Sequence, residues 1–284
     1  MARDTGFPDA DAENDFSRQR RRAELARLSA WFTRQPADVN TVLPFDEVVA
    51  ALGRTGETSI GLVVVKVSTI VGSVDRTRDF DRLFRPTSAR IRARWQRIAA
   101  AQRRGEAMPP VVLYRIGDMH FVVDGHHRVS IAIARHIETI DAYVTEIHTR
   151  ISPEGINGVS DLALKDHRRL FLSRVPLRGK QADAIAVADP FDYAELAENV
   201  EAWGFRLSQE LGEFLGRAEV ARRWFGEEFL PVVRMARRAE IRPEATDAEL
   251  YMWLACERYR LVRKHIWDEE IIDELRDSAA RRRQ

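Results

Sequence analysis

The sequence predicts an α+β fold in which a small mixed α/β domain precedes an all-helical domain. Strand patterns and a strand-to-helix corner are confined to residues 59–150, whereas the periodic segments that follow have helical spacing. Residues 1–58 are predicted to form a tail and helices. The helical part is predicted to span residues 151–284, and its first ten residues, 151–160, contain proline and glycine. The chain has 284 residues and is 45% hydrophobic, enough for two modest domains with buried cores.

Composition narrows the possible classes of protein. The formal net charge is only +1, so an anionic partner must be recognised by local patches. The single cysteine, Cys256, excludes an internal disulfide framework and a multi-cysteine metal site. The N-terminus lacks an apolar signal core, and no apolar run is long enough to span a bilayer. We therefore expect a cytoplasmic protein with no membrane partner.

The first 58 residues predict two helices after a polar tail. Ser17 is predicted to be the N-cap of a helix that runs to about Thr33. A second helix spans Pro44 to Leu52 and is closed by Gly53. Residues 55–59 have the composition of a linker. The first helix carries an apolar stripe that we expect to face the core, formed by Leu25, Leu28 and Phe32.

A strand and a basic helix are predicted next. The β-branched run from Leu62 to Val71 is typical of a buried strand, and it ends in a loop whose Ser73, Asp75 and Arg76 can bind phosphate or metal. The helix that follows contains arginines and no acid. It predicts either a nucleic-acid or nucleotide-phosphate contact, or an ordinary surface helix paired with acids from elsewhere. Its seven arginines are Arg85, Arg90, Arg92, Arg94, Arg97, Arg103 and Arg104.

A hairpin and a sharp corner complete the α/β segment. Strands at 109–116 and 119–123 flank the turn dipeptide Gly117-Asp118. The second strand runs into Asp124-Gly-His-His-Arg128, after which apolar residues recur at helical spacing to about His136. Residues 139–147 predict a last strand.

The corner carries more polar chemistry than a turn requires. Gly125 permits the sharp change of direction, and the amides of a helix start attract anions. Arg128 offers a fork of donors that suits phosphate oxygens, and His126 and His127 can donate hydrogen bonds or move protons near neutral pH. The sequence therefore predicts a site for a phosphate-bearing ligand at residues 124–128. The alternative is a plain Asp-Gly turn with a capped helix.

Beyond residue 160 the pattern is helical. The long helix at 191–215 is amphipathic, the helix at 218–238 is expected to kink at Pro231, and Thr246 to Glu249 form a capping box. The remaining predictions are a helix at 162–172, a connector at 174–188 and a last helix at 268–283.

The segment from Pro109 to Ile147 resembles the ParB/sulfiredoxin superfamily. The resemblance rests on Pro109-Pro-Val-Val-Leu113, on Phe121-Val-Val-Asp-Gly-His-His-Arg128 and on the alanine-containing helix that follows. The C-terminal half is similar to a bacterial family of ParB-like proteins of unknown role, through Phe191-Asp-Tyr, Arg223-Trp-Phe and Glu257-Arg-Tyr-Arg. The resemblance implies that the corner holds nucleotide phosphates.

Members of this superfamily differ at the corner. ParB proteins bind and hydrolyse CTP as DNA-partition clamps and carry Gly-Glu-Arg-Arg, of which this chain keeps Gly125 and Arg128. Sulfiredoxins carry Gly-Cys-His-Arg, and here His126 replaces that cysteine. ParB-like free-serine kinases carry Asp-Gly-His-Thr-Arg, which matches Asp124, Gly125, His126 and Arg128. These kinases need an acidic base on a neighbouring loop, for which Asp75 is the candidate by position.

Two enzymatic functions and one non-enzymatic function follow as expectations. The first is a nucleoside di- or triphosphate hydrolase or switch related to DNA-partition proteins, with Mg²⁺ held directly or through water by Asp124. The second is a small-molecule phosphotransferase with Asp75 or His126 as general base. The third is a DNA-binding or scaffold protein that uses the helix from Arg85 to Arg104. In the first case the helical part is expected to form a homodimer or bind a partner.

Overall fold

The computed structural model describes residues 5–32, 41–261 and Arg276. The chain divides into two compact units, 1–165 and 166–284. Within these described ranges, no helix combines the length and apolar character that crossing a bilayer requires.

The first unit is built on a mixed sheet, so the predicted α+β class is confirmed at this level. Six strands in the described part of the chain lie in the order β1-β3-β5-β4-β6-β2. The pairs β1–β3, β3–β5 and β4–β6 are parallel, and β4–β5 and β2–β6 are antiparallel. The strands are β1 (Leu43–Pro44), β2 (Arg54–Lys66), β3 (Ile70–Ser73), β4 (Val111–Ile116), β5 (Met119–Asp124) and β6 (Thr139–Thr149).

Helices cover both faces of this sheet. The helices are α1 (Pro8–Phe32), α2 (Phe45–Leu52), α3 (Arg92–Arg103) and α4 (His126–Ala134). On one face, Leu113 and Val122 share a buried core with Trp95 of α3 and Val129 of α4. On the other face, Phe45 of α2 stacks on Tyr114, with ring centroids 4.8 Å apart. Successive strand residues point to opposite faces, so one hairpin supplies both cores.

The N-terminal helix differs from its prediction in extent and orientation. It begins at Pro8 rather than Ser17, and Phe16 packs edge-on against Trp95 with centroids 5.6 Å apart. The predicted inward stripe is wrong, because Leu25 and Phe32 are 59% and 75% exposed. Helix α1 packs against α3 and belongs to the same compact unit as the sheet.

The region around the predicted first strand also differs. The predicted linker at 55–59 belongs to β2, where it pairs with β6. The predicted strand from Leu62 to Val71 is two strands, because a single 3₁₀ turn at Val67–Thr69 separates β2 from β3. Strand β3 therefore leaves β2 at one edge of the sheet and pairs with β5 near the other.

The hairpin and the helix after it agree with the sequence analysis. Strands β4 and β5 flank Gly117 and Asp118, and α4 follows β5 directly. Strand β6 continues two residues beyond the predicted Ile147.

Every regular element described in residues 166–261 is a helix or helical turn. The capping box is confirmed, because the Glu249 amide donates to Thr246 Oγ1 at 3.2 Å and the Thr246 amide donates to Glu249 Oε2 at 2.9 Å. The expected irregularity near Pro231 is a π-helical segment, Trp224–Phe229, that ends just before it. The predicted helix at 268–283 lies outside the described residues except for Arg276. The helices are α5 (Asp161–Arg174), which contains the boundary between the units, α6 (Lys180–Asp183), α7 (Asp192–Leu211), α8 (Arg217–Arg223), α9 (Leu230–Arg238) and α10 (Asp247–Leu261).

Candidate functional site

The corner between β5 and α4 depends on Gly125. Its φ of +101° lies in the left-handed region, and a β-carbon there would stand 2.5 Å from Val111 Cγ1. No side chain caps α4, and its first backbone bond runs from the Val129 amide to the Gly125 carbonyl at 3.0 Å. The amides of His126, His127 and Arg128 therefore precede the helical ladder, which is the arrangement that attracts an anion.

Arg128 braces the corner. Its guanidinium donates to Asp124 Oδ2 at 2.6 Å, to the Pro110 carbonyl at 2.8 Å and to the Pro109 carbonyl. Its side chain is only 13% exposed. The predicted phosphate-binding fork is thus bonded to the chain entering β4 and neutralised by Asp124, so its direct contacts are structural.

His126 is held as a neutral imidazole. Its Nε2 lies 2.8 Å from Ser73 Oγ, and that oxygen accepts a hydrogen bond from the Arg76 amide at 3.0 Å. The hydroxyl hydrogen of Ser73 is then free to be donated to the ring nitrogen. Burial, with a further contribution from the Arg76 charge, lowers the pKa of His126 to about 4. This bond connects the end of β3 to the first residue of α4.

Among the polar side chains of the corner, His127 is the one whose hydrogen-bonding groups lack partners. It is buried, and neither ring nitrogen has a hydrogen-bond partner among the described residues. Burial lowers its pKa to about 4, and the charges of Arg94 and Arg76 contribute. An imidazole in this state has one N–H and one lone pair without a partner, which costs free energy in the interior.

Phe80 covers both imidazoles. Its ring lies 6.2 Å from that of His126 and 5.8 Å from that of His127, and Phe80 itself is 2% exposed. Asp81 fixes the following turn, since its carboxylate accepts hydrogen bonds from the Leu83 and Arg85 amides and from Arg85 Nε. Phe80 therefore contributes to the burial of both imidazole rings.

The predicted carboxylates lie at the exposed rim. Asp124 is 67% exposed and bonded to Arg128, while Asp75 is exposed and close enough to His126 to oppose the lowering of its pKa. Across the described residues, no group of three or more histidine, cysteine, aspartate or glutamate side chains has the arrangement of a metal site.

The structure brings together most residues predicted for the site. Ser73, Arg76, His126 and His127 form one cluster, whereas Arg128 and Asp124 form a separate pair beside it. Sequence reasoning missed Phe80, which occurs alone among charged residues, and it had no means of selecting Arg94 from the seven arginines of its segment.

Five of those seven arginines have partners within the first unit. Arg85 and Arg90 pair with Asp81 and Asp79 at 2.7 and 3.1 Å. Arg92 lies 5.3 Å from the centre of the Phe16 ring. The two remaining pairs are Arg103 with Asp15 and Arg104 with Glu106.

Among the described residues, a cavity of about 220 Å³ is lined in part by Phe80 and Asp81, and two others lie away from the imidazole cluster. One of about 230 Å³ is lined in part by Arg128, Gln102 and Asp141. Another of about 730 Å³ lies in the second unit between α7 and α8, lined in part by Phe205 and Phe214. None of the described lining of the larger cavity belongs to the predicted site.

No protein-family model matches the chain, and no curated protein matches it significantly.

Proposed function

We propose that the first unit is a ParB/sulfiredoxin-like module that binds the phosphates of a nucleotide at the start of α4. The observation that carries the proposal is the buried ring of His127, which lacks hydrogen-bond partners and lies beside a helix start with no side-chain cap. A phosphate oxygen is an acceptor that suits both features, since it takes hydrogen bonds from backbone amides and from an imidazole N–H.

In this proposal the positive charge comes from Arg76 and Arg94. Both lie near enough to His127 to lower its pKa, and the carboxylate of Asp79, which lies 3.8 Å from the Arg76 guanidinium, opposes this shift. Arg128 keeps its bonds to the Pro109 and Pro110 carbonyls and holds the corner in shape. The role given to Arg128 by the resemblance thus passes to two arginines from other elements.

The Mg²⁺ that accompanies such nucleotides would be bound mainly by phosphate oxygens and water. Asp75 and Asp124, both at the rim, are the carboxylates that can approach it, and Asp124 would do so directly only by leaving Arg128. The ion would neutralise phosphate charge during hydrolysis or transfer. The residues of this chain orient the phosphates and limit access of water.

The activity that we propose is hydrolysis of, or switching by, a nucleoside triphosphate, as in DNA-partition proteins. A phosphotransferase is the second candidate, because the exposed carboxylate of Asp75 lies close to His126 and can accept a proton from an acceptor hydroxyl. DNA binding by the basic segment is less favoured, since five of its seven arginines have partners in the first unit.

A ligand panel tests the proposal. We expect nucleoside di- or triphosphates with Mg²⁺ to raise the thermal midpoint of the full chain, because a ligand that binds only the folded state stabilises it. Arg76→Ala and Arg94→Ala should each weaken binding about tenfold, whereas Arg97→Ala on the same helix as Arg94 should leave it unchanged. If no nucleotide shifts the midpoint, or if all three variants bind alike, the assigned site is wrong.

A further inference from the structure

Strand β2 is an open edge of the sheet. It is the longest strand described, with 13 residues, and it is last in the strand order. One side of β2 pairs with β6 along its whole length, from Arg54 opposite Thr149 to Lys66 opposite Thr139. The other side has no neighbouring strand among the described residues. Such a row of backbone donors and acceptors is a template for another strand.

The side chains beside this edge are unusually apolar for an exposed surface. Leu62 and Val64 are 57% and 68% exposed on the same face of β2, and Tyr143, which pairs with Leu62 from β6, is 51% exposed. Ile60 adds a further exposed apolar side chain at the bulge between Ser59 and Gly61. A contiguous apolar patch of this kind marks an interaction surface.

The charges along β2 indicate that the strand which pairs with this edge is β2 of a second copy of the chain. In the pairing with β6, Ser59 and Gly61 take adjacent positions, so Ile60 is the extra residue of the bulge. When two β2 strands are paired antiparallel with Leu62 opposite Leu62 of the other copy, Lys66 comes opposite Glu57 at both ends. Lysine at an edge ordinarily opposes pairing, but here each copy supplies a carboxylate opposite it, that of Glu57, which contacts Arg54 within its own chain.

Neighbouring registers lack this match. A shift of the register by two residues keeps the same side chains on the same face of the sheet. In one direction this shift brings Lys66 opposite Ser59, and in the other it brings Lys66 opposite Arg54, which has the same charge. A slide by a single residue would turn the apolar side chains of one copy to the opposite face. The arrangement with Leu62 on the two-fold axis therefore satisfies both charge and face.

We infer that two copies of the chain pair through β2, with a two-fold axis at Leu62, to form one continuous sheet across the dimer. The interface uses backbone hydrogen bonds along β2, the Leu62 and Val64 side chains, and two Lys66–Glu57 pairs. It involves neither the start of α4 nor the second unit, so it stands whether or not a nucleotide binds.

Cysteine cross-linking tests the register. In a Cys256→Ser background, which removes the only native thiol, Leu62→Cys places two thiols directly opposite each other across the axis. Val64→Cys is the matched control, because Val64 faces Ser59 of the other copy and the two Val64 positions lie roughly 13 Å apart. Mild oxidation should yield a covalent dimer for Leu62→Cys and none for Val64→Cys. Efficient cross-linking of both, or of neither, would overturn the inference.

Charge reversal tests the same interface without cross-linking. Lys66→Glu or Glu57→Lys alone should raise the dimer dissociation constant about tenfold or more in sedimentation equilibrium, because each creates like-charge pairs. The double variant should restore dimerisation. A wild-type chain that stays monomeric at the highest concentration reached contradicts the inference. A dimer whose dissociation constant is the same in all three variants also contradicts the inference, because such a dimer must use another surface, such as the helical part.

Discussion

The corner's chemistry is decided by a few side chains whose roles differ from what their types suggest. His126 has a partner in Ser73, whereas His127, one residue later, has none among the residues described. Arg128, the residue best suited to phosphate, is bonded to carbonyl oxygens and to Asp124. A ligand site at this corner therefore depends on which polar groups have no hydrogen-bond partner within the folded chain.

The two buried imidazoles make stability fall in mild acid. Their folded-state pKa of about 4 lies below the unfolded value of 6.5, so the unfolded chain binds more protons between these limits. Stability is complete above pH 6.5 and decreases as the pH falls towards 4. We expect each histidine to contribute a loss of roughly 2 kcal/mol between pH 7 and pH 5, measured by urea unfolding.

His127→Asn isolates one of the two contributions, because asparagine does not titrate. The variant should show about half of the histidine-dependent loss over this interval. Equal losses in the variant and the parent would mean that His127 is accessible to protons in the folded state.

Arg128→Ala should destabilise the first unit by about 2 kcal/mol, since it leaves the Pro109 and Pro110 carbonyls without their donor. Arg97→Ala, at an exposed position on α3, should change stability by less than about 0.5 kcal/mol. Urea midpoints measured on both variants check this. Equal midpoints would show that the hydrogen bonds from Arg128 to the two carbonyls do not contribute to stability.

At the scale of single elements, the corner requires a glycine for two separable reasons. Gly125→Ala adds both backbone strain at φ +101° and a clash with Val111, and we expect a loss of about 3 kcal/mol or more. Gly155→Ala at φ +79°, with no atom within 4 Å of the added carbon, should cost only about 1 kcal/mol. If chemical denaturation gave similar losses of stability for the two variants, the contact with Val111 would not contribute to the requirement for glycine at position 125.

The start of α10 gives a second test at this scale. Thr246→Ala removes the acceptor for the Glu249 amide and a hydrogen bond to the Ala186 carbonyl of 2.6 Å. A loss of about 1 kcal/mol is expected in urea unfolding, and Thr246→Ser should recover most of it because serine keeps the hydroxyl. No recovery by serine would indicate that the methyl group, rather than the cap, matters.

Elements defined by local chemistry were predictable, and elements defined by distant partners were not. The hairpin, the Gly125 corner and the capping box each follow from residues adjacent in sequence. The first half of β2 reads as a linker, because it becomes a strand only by pairing with β6. Helix α1 carries apolar residues on two faces, and periodicity cannot tell which one Trp95 will cover.

At the scale of the whole molecule, the core of the first unit draws on residues from Ala12 to Val144. We therefore expect residues 1–160 to fold cooperatively alone, as judged by circular dichroism and urea unfolding. The sequence-predicted segment 59–150 should fail to do so, because it lacks Phe16, which covers Trp95, and Asp15, which pairs with Arg103. A cooperative transition of 59–150 at the same midpoint would show that α1 is an accessory.

The long separation between β2 and its partner has a consequence during synthesis. Lys66 leaves the ribosome before Thr139 has been made, and at about 5–20 residues per second that delay is several seconds. Throughout it, β2 is unpaired on both sides. On a polysome, where identical nascent chains emerge close together, this strand is open to capture by a chaperone or by a neighbouring copy.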